Sequence, residues 1–123
     1  MKETALKESR ELLQKKGIKV ALITQEESDP VRYRARKMNV DYFRSGVKNK
    51  LEVLKGIAQE MKISLDQISF IGDDLNDTEV LKQVGFSSTP ADGVIENKRI
   101  VDYICTKGGG KGCVREVCDL ILE

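Results

Sequence analysis

The chain has 123 residues, enough for one domain with a real hydrophobic core but not for two. Hydrophobic residues make up 40% and charged residues 33%, a globular rather than disordered balance; 21 Lys+Arg against 20 Asp+Glu leave a net charge of +1, which argues against bulk nucleic-acid binding. No apolar run approaches the roughly 20 residues that span a bilayer, and the charged start Met1-Lys2-Glu3-Thr4-Ala5-Leu6-Lys7-Glu8 lacks the apolar stretch of a signal peptide.

Residues 3–16 read as a helix that Gly17 stops, glycine being a common C-cap. Residues 18–24 are a run of β-branched and aliphatic side chains, the signature of a strand buried on both faces. Asp29-Pro30 opens a helix to about Met38, with Asp as cap and Pro at the first helical position; residues 40–43 form a second, shorter strand. Val47, Leu51, Leu54, Ile57 and Met61, spaced by three and four, give the next helix one apolar stripe. Residues 67–71 are a third strand that runs directly into Gly72-Asp73-Asp74. A helix through 79–83, a short strand at 85–88, a β-like run at 101–105, a glycine cluster at 108–112 and a closing helix at about 113–122 complete the chain.

Cys105, Cys113 and Cys118 are odd in number and lack CxxC spacing, and the chain has no histidine. A zinc site is therefore not expected, and Cys113 and Cys118, in an apolar context, read as buried reduced thiols of a cytoplasmic protein. Strands separated by helices imply right-handed crossovers and a parallel sheet with helices on both faces, an α/β fold over a single domain of residues 1–123. Ligands collect at the carboxyl ends of such strands, where Thr24, Ser45 and Asp73 fall.

Gly72-Asp73-Asp74-Leu75-Asn76-Asp77 sets three carboxylates on a strand-to-helix turn. Gly lets the backbone turn sharply, and clustered carboxylates repel unless a cation compensates them. Hard oxygen ligands suit Mg²⁺, which takes one or two carboxylates and keeps waters; the plainer alternative is a solvated turn whose Asp caps a helix. Thr24 either donates its hydroxyl to a phosphoryl oxygen or caps the next turn. Lys50 lies early in a helix, where a cation is unfavourable unless it meets an anion; Lys48 remains a substitute. Gly108-Gly109-Gly110-Lys111-Gly112 lacks the Gly-Lys-Ser/Thr ending of a P-loop and is either a flexible loop or an anion contact through backbone N–H groups. Arg115 follows it. Arg34 and Lys37 share a helix face and, with Glu26, could point toward the strand ends.

Thr24, Lys50 and the aspartate turn occur in the order of the second, third and fourth motifs of haloacid dehalogenase (HAD) phosphatases, which the chain resembles throughout. The tail Gly108-Gly109-Gly110-Lys111-Gly112-Cys113-Val114-Arg115-Glu116 resembles the closing signature of the capless subfamily, which includes phosphatases of octulosonate 8-phosphate and sialic-acid-type 9-phosphates; the C-terminal domain of CMP-sialic acid synthetases is also similar. The resemblance implies a Rossmann-like three-layer α/β/α fold and a cytoplasmic homotetramer. It implies Mg²⁺ on Asp73 with help from Asp77 and Asp74, phosphoryl stabilisation by Thr24 and Lys50, and acid-sugar contacts from Glu26, Arg34 and Lys37. It also implies that Arg115 closes over a neighbouring subunit's site. Two departures stand out: Gln25 replaces a family glycine, and no Asp-x-Asp, the family's nucleophile pair, occurs in these residues. The family's first strand, central between those ending at Thr24 and Asp73, and its flap hairpin are thus expected to be lacking. The flanking strands are then expected to pair directly, to leave a groove, or to borrow a strand; a weakened Mg²⁺ site, and either an inactive phosphatase chain or a non-catalytic oligomerisation module, should follow.

Overall fold

Helix α1 (Glu3–Lys15) stops where glycine makes stopping cheap: Gly17 takes φ +78°, and the Ile18 N–H donates back to the Leu13 carbonyl at 3.0 Å. The computed structural model describes residues 3–110 and 112–123. Strand β1 (Ala21–Ile23) leads to α2 (Asp29–Met38), whose N-cap is Ser28 rather than Asp29. The Ser28 hydroxyl accepts the Val31 N–H at 3.4 Å, while Asp29, inside the first turn, accepts from Arg32 at 2.8 Å. After β2 (Tyr42–Arg44), α3 (Lys50–Met61) begins later than its apolar stripe suggests, because Asn49 caps it by accepting the Glu52 N–H at 3.1 Å. Val47 is buried in the loop before it.

Strand β3 (Ser69–Ile71), α4 (Thr78–Gln83), β4 (Phe86–Thr89), the short α5 (Ile95–Lys98), β5 (Tyr103–Ile104) and α6 (Cys113–Leu122) follow. Amphipathic α6 drives Cys113 and Val117 against Cys105, Ile71, Phe86 and Tyr103, and α4 buries Val80 and Leu81 beside β3 and β4. All three cysteines are free and buried. Burial pushes the Cys105 thiol up to about 11 and raises those of Cys113 and Cys118, which makes them poor nucleophiles.

Every strand pairing is parallel, as the alternation predicts, but the expected single sheet is two: β1-β2 and β3-β4-β5. Among the described residues no strand lies between β1 and β3, and the two do not pair with each other. Of the three expected arrangements, the chain adopts the groove. The strand predicted to be buried on both faces, β1, is therefore half-open, with Ala21 exposed and Leu22 and Ile23 only partly covered; β3 is likewise open, with Ser69 exposed and Phe70 and Ile71 partly covered. Helix α1, packed on both α2 and α6, ties the halves together. No helix among the described residues is long and apolar enough to cross a membrane.

Candidate active site

The carboxyl ends of β1 and β3 border one cleft of about 420 Å³, lined by Thr24, Gln25, Glu26, Lys50, Asp73, Asp74 and Asn76. Its residues come from three places: the loop after β1, the first residue of α3, and the turn after β3. Thr24 does locally what a threonine at a strand end commonly does, accepting the Glu26 N–H on Oγ1 at 3.1 Å. That bond consumes a lone pair and leaves the hydroxyl hydrogen available for an acceptor in the cleft.

Asp77 organises the turn from inside. Its side chain is 2% exposed; Oδ2 accepts the N–H groups of Asp73 and Asp74 at 3.1 and 3.2 Å, and Oδ1 accepts from Lys50 Nζ at 2.7 Å. Lys50, rather than Lys48, is the lysine delivered to the site, and Asp77 is the anion it meets at the start of its helix. One ammonium hydrogen is thereby spent, and the others are free to face the cleft. Asp74 caps the following 3₁₀ turn by accepting the Leu75 N–H at 2.7 Å.

The three aspartates thus divide their labour instead of converging. Among the described residues no group of three acidic, histidine or cysteine side chains is placed to hold a metal ion. Of the three, Asp74 accepts from Leu75 and Asp77 from Lys50 and two amides, which leaves the Asp73 carboxylate as the one with no partner among the described residues. Beside it in the cleft lining, Asn76 Oδ1 is buried with no hydrogen-bond partner, an arrangement that normally signals a missing ligand, water or ion. Asp73 and Asn76 offer two hard oxygens, and the lining carries Glu26, Asp73 and Asp74 against the single cation Lys50. A phosphate dianion entering that excess of negative charge needs a compensating cation. The residues present therefore fit a Mg²⁺ ion that keeps several waters, with both Asp77 oxygens already engaged by Lys50 and the turn amides.

The remaining predicted residues lie elsewhere. Arg34 and Lys37 are exposed on α2, with the Lys37 ammonium 5.3 Å from the centre of the Tyr33 ring. Arg115, on α6, pairs with Glu8 of α1 at 3.8 Å. Neither α2 nor α6 contributes to the cleft lining. Lys111 lies outside the described residues. Of the glycine cluster, the Gly109 N–H donates to Asp92 Oδ1 at 2.8 Å, so a carboxylate occupies that amide. Asn76 lies inside the aspartate motif but carries no spacing signal of its own.

Residues 4–115 match the haloacid dehalogenase-like hydrolase family model. The chain belongs to that family. It is 34% identical over 105 residues to the 3-deoxy-D-manno-octulosonate 8-phosphate phosphatase of Escherichia coli K12, covering 85% of this chain and 56% of the relative. The chain thus spans about half the length of that curated relative. It superposes with a TM-score of 0.92, at 35% identity, on the octulosonate 8-phosphate phosphatase of Moraxella catarrhalis, a crystal structure in complex with a magnesium ion, a phosphate ion and KDO; the match covers 97% of this chain and 68% of that one. The corresponding enzyme of Yersinia pestis gives 0.92 at 32% identity, covering 97% and 64%. The HAD Rossmann-like fold implied by the sequence is therefore the fold of this chain.

Proposed function

We propose that this chain supplies the phosphate- and metal-binding part of a Mg²⁺-dependent phosphatase for a phosphorylated 2-keto-3-deoxy acid sugar, an octulosonate 8-phosphate or nonulosonate 9-phosphate. The observation that carries the reading is the single cleft into which β1, α3 and the turn after β3 deliver Thr24, Lys50 and Asp73. The relatives act on octulosonate 8-phosphate, and one of them was crystallised with magnesium and phosphate, which supports both the substrate class and the metal.

In this reading the Thr24 hydroxyl donates to a phosphoryl oxygen. Lys50, held by Asp77, places positive charge where negative charge accumulates during transfer. Asp73 and the Asn76 carbonyl would hold Mg²⁺, which when bound supplies further neutralisation of the phosphoryl oxygens. Glu26, at the cleft rim, and Arg34 and Lys37, on α2, would meet the acid-sugar part. Arg115, turned away from its own cleft, would serve a neighbouring subunit of a cytoplasmic homotetramer.

The attacking group is a separate matter. Without Asp-x-Asp the 123 residues lack the family's nucleophile, and electrostatic residues do not replace covalent catalysis. The chain alone is expected to bind Mg²⁺ weakly and to hydrolyse neither p-nitrophenyl phosphate nor an acid-sugar phosphate. Calorimetric titration should show one Mg²⁺ site that Asp73→Ala abolishes, and wild-type protein without any such site would refute the metal assignment. Metal-dependent turnover that Asp73→Ala removes would overturn the inactivity. The missing nucleophile equally favours a second reading, a non-catalytic oligomerisation module like that of CMP-sialic acid synthetases; a monomer by light scattering would count against it.

A further inference from the structure

We infer that Asn97 is the positioning residue of the aspartate turn, a role that rests on the metal-site reading above for its functional meaning but not for its geometry. Asn97 is 0% exposed although it sits on a helix of only four residues, Ile95–Lys98. A buried amide is costly unless it is bonded at both ends, and Asn97 is. Its Nδ2 donates to the Asp74 carbonyl at 2.8 Å, and its Oδ1 accepts from Thr78 Oγ1 at 2.7 Å. Asp74 opens the 3₁₀ turn and Thr78 begins α4, so one side chain staples both ends of the segment that carries Asn76 and Asp77.

The backbone before it adds a second fastening, because the Val94 N–H donates to the Asp73 carbonyl at 3.2 Å. Seen from the turn, Asp77 holds the amides of Asp73 and Asp74 from inside, while residues 94–97 hold the carbonyls of the same two residues from outside. The peptide plane between Asp73 and Asp74 is gripped on both edges, by Val94 at its carbonyl and Asp77 at its amide, and the next plane by Asn97 at the Asp74 carbonyl and the Asp74 side chain at the Leu75 amide. These bonds resist the rotation that would carry the Asp73 carboxylate and the Asn76 carbonyl out of the cleft. Asn97 itself is not among the cleft residues, so it acts through the turn alone.

Replacing the amide by an isosteric acid separates this role from simple packing. Asn97→Asp keeps the volume and the bond from Thr78 but presents an oxygen to the Asp74 carbonyl, where a donor is required. Amide hydrogen exchange of the metal-free full chain reads the staple directly. Asn97→Asp and Asn97→Ala are each expected to speed exchange at Asp73, Asp74 and Asp77 by about tenfold, the scale of one lost buried hydrogen bond, with Ser87–Thr89 of β4 unchanged. Thr78→Val, which cuts the other end only, should loosen the same amides less. Turn amides exchanging as in wild type in these variants, or loosening spread equally over β4, would overturn the inference. Mg²⁺ titration then tests the link to the site. Asn97→Asp should weaken binding by about tenfold, whereas the cavity variant Leu13→Ala, buried on α1 and outside the cleft lining, should leave it intact. Equal weakening by both variants would refute a positioning role, and a wild-type chain that binds no Mg²⁺ would sink the metal reading while exchange still decides the staple.

Discussion

Lys50 and Asp77 form the pair on which the cleft is organised, at 2.7 Å with side-chain exposures of 12% and 2%. Removing one partner strands the other: with Lys50→Met, a buried carboxylate keeps two backbone donors and loses its counter-charge. A broken buried pair costs about 3 kcal/mol, which for a domain of this size lowers the unfolding midpoint by roughly 10 °C. Adding Asp77→Asn to Lys50→Met should recover part of that loss, since the stranded charge is then gone. Thermal melts followed by circular dichroism check both, and a Lys50→Met midpoint equal to wild type would show the pair to be dispensable. The sequence marked Lys50 by its conflict with the helix dipole, but it offered no way to find Asp77 as its anion across 27 residues. Nor did it show a second reason for Gly72: a Cβ there would sit 2.5 Å from the Asp77 Cβ, so Asp77 reaches the turn amides across a glycine.

At the scale of elements, local signals set helix existence well and caps less well. Apolar periodicity marked α3, while Ser28 and Asn49 took the caps that decide where α2 and α3 begin. What no periodicity could show is how α6 is moored. Its Glu116 accepts from the Tyr103 hydroxyl, from the N–H of Thr106 at 2.9 Å and of Lys107 at 3.1 Å, and from Thr106 Oγ1 at 3.1 Å. The Tyr103 hydroxyl and the Thr106 amide hold the Glu116 carboxyl below its ordinary value, and the carboxylate in turn pushes Tyr103 up to about 12. The signs are opposite. Glu116, depressed in the fold, contributes stability that is present above its unfolded value and is lost as pH falls through its folded one. Tyr103, raised in the fold, contributes stability that is present below about pH 10 and lost as pH rises toward about 12. Glu116→Gln should therefore move the ionisation of Tyr103 downward in an ultraviolet titration, with Tyr103→Phe identifying the band. An unmoved band would mean that the carboxylate does not control the phenol.

Among the described residues the molecule is two half-sheets joined by helices and not by strand pairing, and its cleft opens where the unpaired edges of β1 and β3 end. Alternating strands and helices made the parallel class legible from the sequence, because crossover geometry is local. The split was only one of three arrangements that the family's missing strand left open, since which strands neighbour one another is a long-range property. An open edge presents unpaired N–H and C=O groups and is a template for another strand. We propose that the active protein fills this groove with a strand bearing Asp-x-Asp, from another segment or another polypeptide, set parallel to both neighbours with its carboxylates at the Thr24 and Asp73 end. Such a strand would give the apolar side chains Leu22, Ile23, Phe70 and Ile71 the cover they lack. Co-expressing the chain with the corresponding first segment of an octulosonate 8-phosphate phosphatase should then yield a stable complex. The amides of β1 and β3 should gain protection while those of β4, already flanked on both sides, change little. The complex should hydrolyse octulosonate 8-phosphate only with Mg²⁺, and lose that activity with Lys50→Met in the chain. Protection without turnover would keep the strand slot and favour the oligomerisation module; no complex at all would leave the groove as a surface of the folded chain and refute complementation.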